Sequence, residues 1–264
     1  MQTEQGQHQP SFADRLEVGV ATVDDVKTAL RAGVRDVTKR PLLSFFFGLV
    51  YALFGGILVS GLLIFNQVWM VIAVGVGFPL VAPFLAAGLY EMSRRLKSRD
   101  PFTASDIFLV IFRQQRREFG WMGLAVLFVF WMWAYQVRLM LALFLQNQPL
   151  QSLENFASIL FTTSEGALFL LVGTCSGALL STLLFSITVI AMPLLMDRDL
   201  DIVTAVVTSV NTVRKSPVVM LGWGAVVGVL TLLAIAPMFL GVIFIFPILG
   251  HTTWHLYEAL VSEQ

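Results

Sequence analysis

Apolar residues in this chain come in long blocks separated by short polar stretches. The blocks cover residues 42–65, 68–90, 120–145, 166–196, 217–236 and 238–257. At 1.5 Å per helical residue each is long enough to cross roughly 30 Å of hydrocarbon. The pattern predicts six transmembrane helices. Pro79 and Pro83 are expected to bend the second. The fourth is longer than a bilayer needs, and is expected to tilt or to extend beyond the core.

Three shorter segments carry a different rhythm. Thr22 and Asp25 form a capping-box start, and Val26, Ala29, Leu30, Gly33, Val34 and Val37 follow at helical spacing. Lys27, Arg31, Arg35 and Lys39 fall four apart on another face. Thr103 to Asp106 starts a second short helix, over 107–119, which ends on Arg113, Arg116 and Arg117. A third, over 199–217, has Asp199 and Asp201 at its start and Arg214 and Lys215 at its end, the order that the helix dipole favours. Each precedes an apolar block. They read as three amphipathic helices at the membrane surface.

The two rhythms alternate. VRDVTKRPLLSFFFG (34–48) and VNTVRKSPVVMLGWG (210–224) share a helix end, a basic residue, a proline and the start of a span. FRQQRREFGWMG (112–123) keeps the basic cluster without the proline. Gly88-Leu89-Tyr90-Glu91 in the second span resembles His255-Leu256-Tyr257-Glu258 in the sixth. The fold expected is all-α, a polytopic helical bundle built as a threefold repeat of one interfacial helix and two spans. The copies are parallel, unlike the inverted repeats of many secondary transporters.

Composition supports a membrane chain. Of 264 residues, 57% are hydrophobic and 13% charged, against about 25% charged in soluble domains. Net charge is zero, yet its distribution is uneven. Every Lys and Arg except Arg138 lies before the first span, in 91–119 or in 197–216. The positive-inside rule therefore places both termini and both basic loops in the cytoplasm. These clusters are expected to attract anionic lipid. Lying against the bilayer, they are poorly placed for nucleic acid. Residues 1–20 are polar and read as a mobile tail before one membrane domain. They lack a basic start with a short apolar run, so the first span is expected to serve as targeting signal. A single cysteine, Cys175, excludes an intrachain disulfide and a Cys-based zinc site.

Few residues carry candidate chemistry. His251 and His255 are four apart on one helical face, a spacing that can chelate a metal or contribute to haem ligation, with Glu91 or Glu258 as a further ligand. The alternative is that both rings and Trp254 sit at the membrane interface, hydrogen-bonded to neighbouring helices. Arg138, near the outer end of the third span, reads as an anchor that snorkels or pairs with Glu154 or Glu165. Thr174, Ser181 and Thr188 fall seven apart in the fourth span, as close packing between helices or a hydroxyl-lined solute path would require. No Asp, Glu or Lys lies mid-span, and Walker, G-x-S-x-G, H-E-x-x-H and C-x-x-C-H motifs are absent. A non-enzymatic scaffold or accessory protein is the expectation. A channel or facilitator for a small neutral or hydrophobic solute is the alternative, and metal or haem handling the third.

At PILGHTTWHLYEALV the chain resembles a family of uncharacterised bacterial inner-membrane proteins, the domain-of-unknown-function 2189 family. The carrying residues are Gly250, His251, Thr253, Trp254, His255 and Tyr257. Some members are labelled cytochrome c oxidase subunit I-like. The resemblance implies no established activity. By analogy it implies an accessory or assembly role near a respiratory complex, with a membrane protein as partner.

Overall fold

A computed structural model describes residues 16–65, 67–77, 82, 86–114, 118–146 and 152–263. Pro79, Pro83, Arg116 and Arg117 lie outside the described residues, as does the side chain of Arg113. The fold is all-α apart from two short strands. In chain order the elements are β1 (Leu16–Val18), α1 (Val23–Lys39), α2 (Pro41–Ile64), α3 (Val68–Gly77), α4 (Ala87–Ser98), α5 (Ala104–Gln114) and α6 (Glu118–Phe144). Then come α7 (Leu153–Thr162), α8 (Ser164–Thr188), α9 (Ala191–Asp197), α10 (Ile202–Lys215), α11 (Pro217–Ile235), α12 (Val242–Leu260) and β2 (Val261–Glu263).

Among the described residues, four helices are long and apolar enough to cross a membrane: Pro41–Ile64, Glu118–Phe144, the bent pair Ser164–Asp197, and Pro217–Ile235. The block at 68–90 contributes α3 and α4, of 10 and 12 residues. The last block yields α12, whose second half is diluted by His251, His255 and Glu258. It starts at Val242 because Met238 and Phe239 before it take left-handed conformations (φ 53° and 68°). The Phe239 ring is buried against Gly55 of α2. The stretch between the third and fourth apolar blocks holds α7, capped by Ser152, whose side chain accepts from the Asn155 N–H.

The polar tail expected over residues 1–20 gives way to structure before its end. Leu16–Val18 pairs antiparallel with Val261–Glu263. The Gly19 N–H donates to the Leu260 carbonyl at 2.7 Å. The two described ends of the chain therefore meet at one end of the bundle.

The starts of the three amphipathic helices follow from local hydrogen bonds. Thr22 and Asp25 form the reciprocal capping box, at 2.8 and 3.2 Å. Thr103 and Asp106 repeat it at 2.7 and 3.4 Å. Asp201 caps α10 by accepting from the Thr204 N–H at 2.9 Å. These bonds hold the carboxyls of Asp106 and Asp201 below the usual carboxylate range.

α1 does not lie free on a surface. It runs along the second half of α12 in the opposite sense, from Leu260 beside Gly19 to Thr252 beside Gly33. Its buried face is narrow: Ala29, Gly33, Asp36 and Val37. α10 lies against the bend between α8 and α9. There the Ile190 N–H donates to Ser209 Oγ, and the Ser209 hydroxyl donates to the Ser186 carbonyl, at 3.1 and 2.8 Å. One hydroxyl thus bridges a broken turn and satisfies backbone groups that burial leaves without water.

Two elbows have the same backbone. Arg40 joins α1 to α2 with φ −137° and ψ 60°, and Ser216 joins α10 to α11 with φ −139° and ψ 60°. A proline opens the second helix in each case, where its missing N–H costs nothing. α2 then packs antiparallel on α12, with Gly48 against the backbone of Ile243 and Tyr51 against Phe246, ring centroids 4.5 Å apart.

Candidate functional site

The polar groups of the bundle concentrate at the end that carries the strands. His251 projects from α12 with no exposure. Its Nδ1 lies 2.7 Å from Ser93 Oγ on α4, and its Nε2 lies 3.3 Å from Ser44 Oγ on α2. Ser93 has one proton and gives it to Asp36 Oδ2 on α1 at 3.0 Å. The ring must therefore donate to Ser93 from Nδ1, which leaves Nε2 to accept the Ser44 hydroxyl. Four helices are thereby tied through one imidazole.

The chain of bonds continues outward. Asp36 Oδ2 also meets His255 Nε2 at 2.7 Å, and Lys39 approaches the other oxygen at 3.5 Å. His255 Nδ1 faces Glu258 Oε2 at 3.4 Å, and Glu258 Oε1 accepts from Lys97 Nζ at 2.9 Å. Burial works against ionisation of Asp36. The hydrogen bonds from His255 and Ser93 and the nearby histidine charge outweigh it, and the carboxyl is held below the usual aspartate value. The same opposition operates at Glu258, where His255 and Lys97 prevail over burial.

A second cluster adjoins the first. Glu91 on α4 is buried and takes a two-pronged contact from Arg94 at 2.8 and 2.9 Å and a third bond from Arg95 at 2.6 Å. The Tyr257 hydroxyl on α12 donates to Asp197 Oδ2 on α9 at 2.8 Å. Trp254 is buried between Tyr90 and Tyr257, at centroid distances of 6.4 and 5.5 Å.

The structure thus brings His251, His255, Trp254, Glu91 and Glu258 to one end of the bundle. All four imidazole nitrogens face hydrogen-bonding side chains. Among the described residues no group of three or more His, Cys, Asp or Glu side chains could hold a metal ion. The remaining sequence candidates lie apart. Arg138 places its guanidinium over the Trp69 ring, 5.4 Å from the centroid, a cation–π contact between α6 and α3. Thr174 and Ser181 are exposed on the outer face of α8, whereas Thr188 is buried with its hydroxyl on the Leu184 carbonyl at 2.7 Å. Gly173 and Gly177 face Met140 and Trp133 of α6, so that side of α8 is a packing face.

Asp36, Ser44 and Ser93 are the residues that sequence reasoning missed. Asp36 had a visible signal: it falls three residues after Gly33 and seven after Ala29, on the apolar side of α1. An acid on that face demands a partner when buried. The two serines carry no such signal, since hydroxyls are common in membrane helices.

Two of the clefts formed by the described residues open on the surface. One, of about 490 Å³, is lined by Leu16, Glu17, Val18, Asn211, Arg214 and Lys215. The other, of about 740 Å³, lies between the first elbow and the start of α5. His251, His255, Ser44 and Ser93 line neither.

No curated protein and no solved structure matches the chain. The signature at 250–257 lies outside the stretch that a family model covers. Residues 70–197 match the model of the family described as predicted integral membrane protein (DUF2189), the family that the sequence resembles.

Proposed function

We propose that this protein is a six-span bacterial inner-membrane scaffold or accessory protein, without catalytic activity, that holds a membrane-protein partner such as a respiratory complex. The observation that carries this reading is the closed polar chain from Ser44 through His251, Ser93, Asp36 and His255 to Glu258. Its groups are consumed in tying α1, α2, α4 and α12 together, and neither cleft reaches the imidazoles. Such an array fixes helix positions and leaves no group free to act on a substrate.

Connectivity supports six crossings. α2, α6 and α11 all begin at the strand-bearing end. α2 follows α1 there, Glu118 of α6 accepts from the Ile202 N–H at 3.2 Å, and Ser216 before α11 accepts from the Ala21 N–H at 2.8 Å. Each of these starts asks the chain to come back to that end after the preceding long helix, and α12 comes back once more to pair β2 with β1. Among the described residues, Lys39, Arg94, Arg95, Lys97 and Lys215 gather at that same end, which the positive-inside rule assigns to the cytoplasm. The matching elbows support an internal repeat. α10 confines its basic residues, Arg214 and Lys215, to its last turn and leaves Val203 and Val207 exposed, which suits a protein partner.

Purification in a mild detergent tests the reading. A stoichiometric membrane-protein partner, lost on Val203→Asp and Val207→Asp, is expected. A monodisperse assembly of this chain alone, with no partner under the gentlest extraction, would overturn it.

A further inference from the structure

The cleft at the first elbow has a composition that the second does not. Its rim carries Lys39 and Arg40, and its walls are Pro41, Leu42, Leu43, Phe46, Phe102 and Phe108. Arg40 lies over the Phe102 ring, 5.2 Å from the centroid, which holds its guanidinium at the mouth. Phe46 and Phe47 pack on Phe108 at 5.6 Å, closing the floor between α2 and α5.

The apolar wall does not stop at the cleft. Leu42 is 88% exposed, and Phe46, Leu49, Val50, Leu53 and Ile57 continue the exposed apolar strip along α2. Asp106 accepts from the Thr103 N–H and hydroxyl, and Asp36, buried in the polar chain, meets Lys39 at 3.5 Å but leaves that side chain 44% exposed, beside the Arg40 guanidinium. The mouth is therefore cationic, while the strip below it is long and greasy.

We infer that this elbow is a binding site for one anionic phospholipid. Its phosphate sits between Lys39 and Arg40, and an acyl chain lies along Leu42, Phe46 and Leu53. Two charges at the mouth and an apolar track directed along the span are complementary to a headgroup with its chain, and a free anion has no use for the track. The second elbow cannot host the same ligand. There Ser216 replaces Arg40, Lys215 donates to the Val18 carbonyl at 2.8 Å, and residues 16–21 cover the junction. The inference rests on the six-span reading only in that it places the elbow at the membrane surface.

Native mass spectrometry of the full chain in mild detergent tests it, with titration by phosphatidylglycerol or phosphatidylcholine. Wild type is expected to retain one phosphatidylglycerol roughly tenfold more strongly than phosphatidylcholine. Arg40→Gln with Lys39→Gln should abolish that preference. Lys27→Gln with Arg31→Gln, on α1 but away from the cleft, should keep it. Leu42→Gln with Phe46→Gln keeps both charges and should weaken retention of either lipid. Equal retention of the two lipids by wild type, or an unchanged preference in a folded Arg40 and Lys39 variant, would overturn the proposal. So would displacement by millimolar glycerol 3-phosphate, which would assign the site to a soluble phosphate. Partner capture is read separately, so either proposal can fail without the other.

Discussion

The two elbows share a backbone and differ in everything that covers it. At Ser216 the chain closes its own junction, with Ala21 bonded to the serine and Val18 to Lys215. At Arg40 the junction stays open, with a cationic rim and phenylalanine walls. The step before each elbow differs too. Four residues upstream of Arg40 stands Asp36, which bonds across to α4 and α12. Four residues upstream of Ser216 stands Thr212, whose hydroxyl donates to the Thr208 carbonyl of its own helix. One backbone device thus serves as a cross-linked corner in one place and a self-sealed corner in the other.

Four measurements sharpen or break this contrast. Asp36→Asn removes the charge that faces His255 inside a buried array and is expected to cost about 3 kcal/mol. Thr212→Val should cost about 1 kcal/mol or less, since the bond lost lies within its own helix. Equal losses in thermal unfolding would erase the difference between the corners. The glycines seven residues into each following helix come next. A methyl at Gly48 meets the Ile243 backbone, whereas one at Gly224 meets the ring of Phe185, which can turn away. Gly48→Ala is therefore expected to cost roughly 2 kcal/mol, and Gly224→Ala well under about 1 kcal/mol.

Ser216→Ala removes the acceptor of a buried N–H and should cost about 1 kcal/mol. Amide exchange should rise at Ala21 while the first elbow stays unchanged; protection at Ala21 as in wild type would mean that the serine does not hold the segment. The smallest effect is in the pH dependence. The folded carboxyl of Asp36 titrates below its ordinary value of 3.8. Its stabilisation is fully present above that value and fades as pH falls through the lowered one. The stability gap between wild type and Asp36→Asn should hold from about pH 6 to about 4 and narrow below it. A gap that widens in acid would give Asp36 the opposite sign.

Much of this fold was legible in the chain. The apolar blocks locate α2, α6, α8 with α9, and α11 within a few residues, because burial in lipid demands long uninterrupted runs. The capping residues Thr22, Thr103 and Asp201 mark helix starts because their hydrogen bonds are local. The break at Val189 and Ile190 was hidden, because its repair comes from Ser209, nineteen residues away. The strand pair was hidden as well, since neither Leu16–Val18 nor Val261–Glu263 has a partner until the helices bring them together. Of the site, the histidines and Glu258 were visible as polar residues on an apolar helix. What they do depended on Ser44, Ser93 and Asp36, whose roles exist only in the packed bundle.

The most direct test is labelling of a single cysteine at each elbow. In a Cys175→Ser background, Arg40→Cys and Ser216→Cys are placed separately in membrane vesicles of known orientation. A membrane-impermeant maleimide is then added from either side. Labelling is expected to be fast at position 40 and slow at position 216, with reaction at both from the cytoplasmic side. Equal rates would contradict the open and closed corners, and reaction from opposite sides would contradict the topology on which they rest.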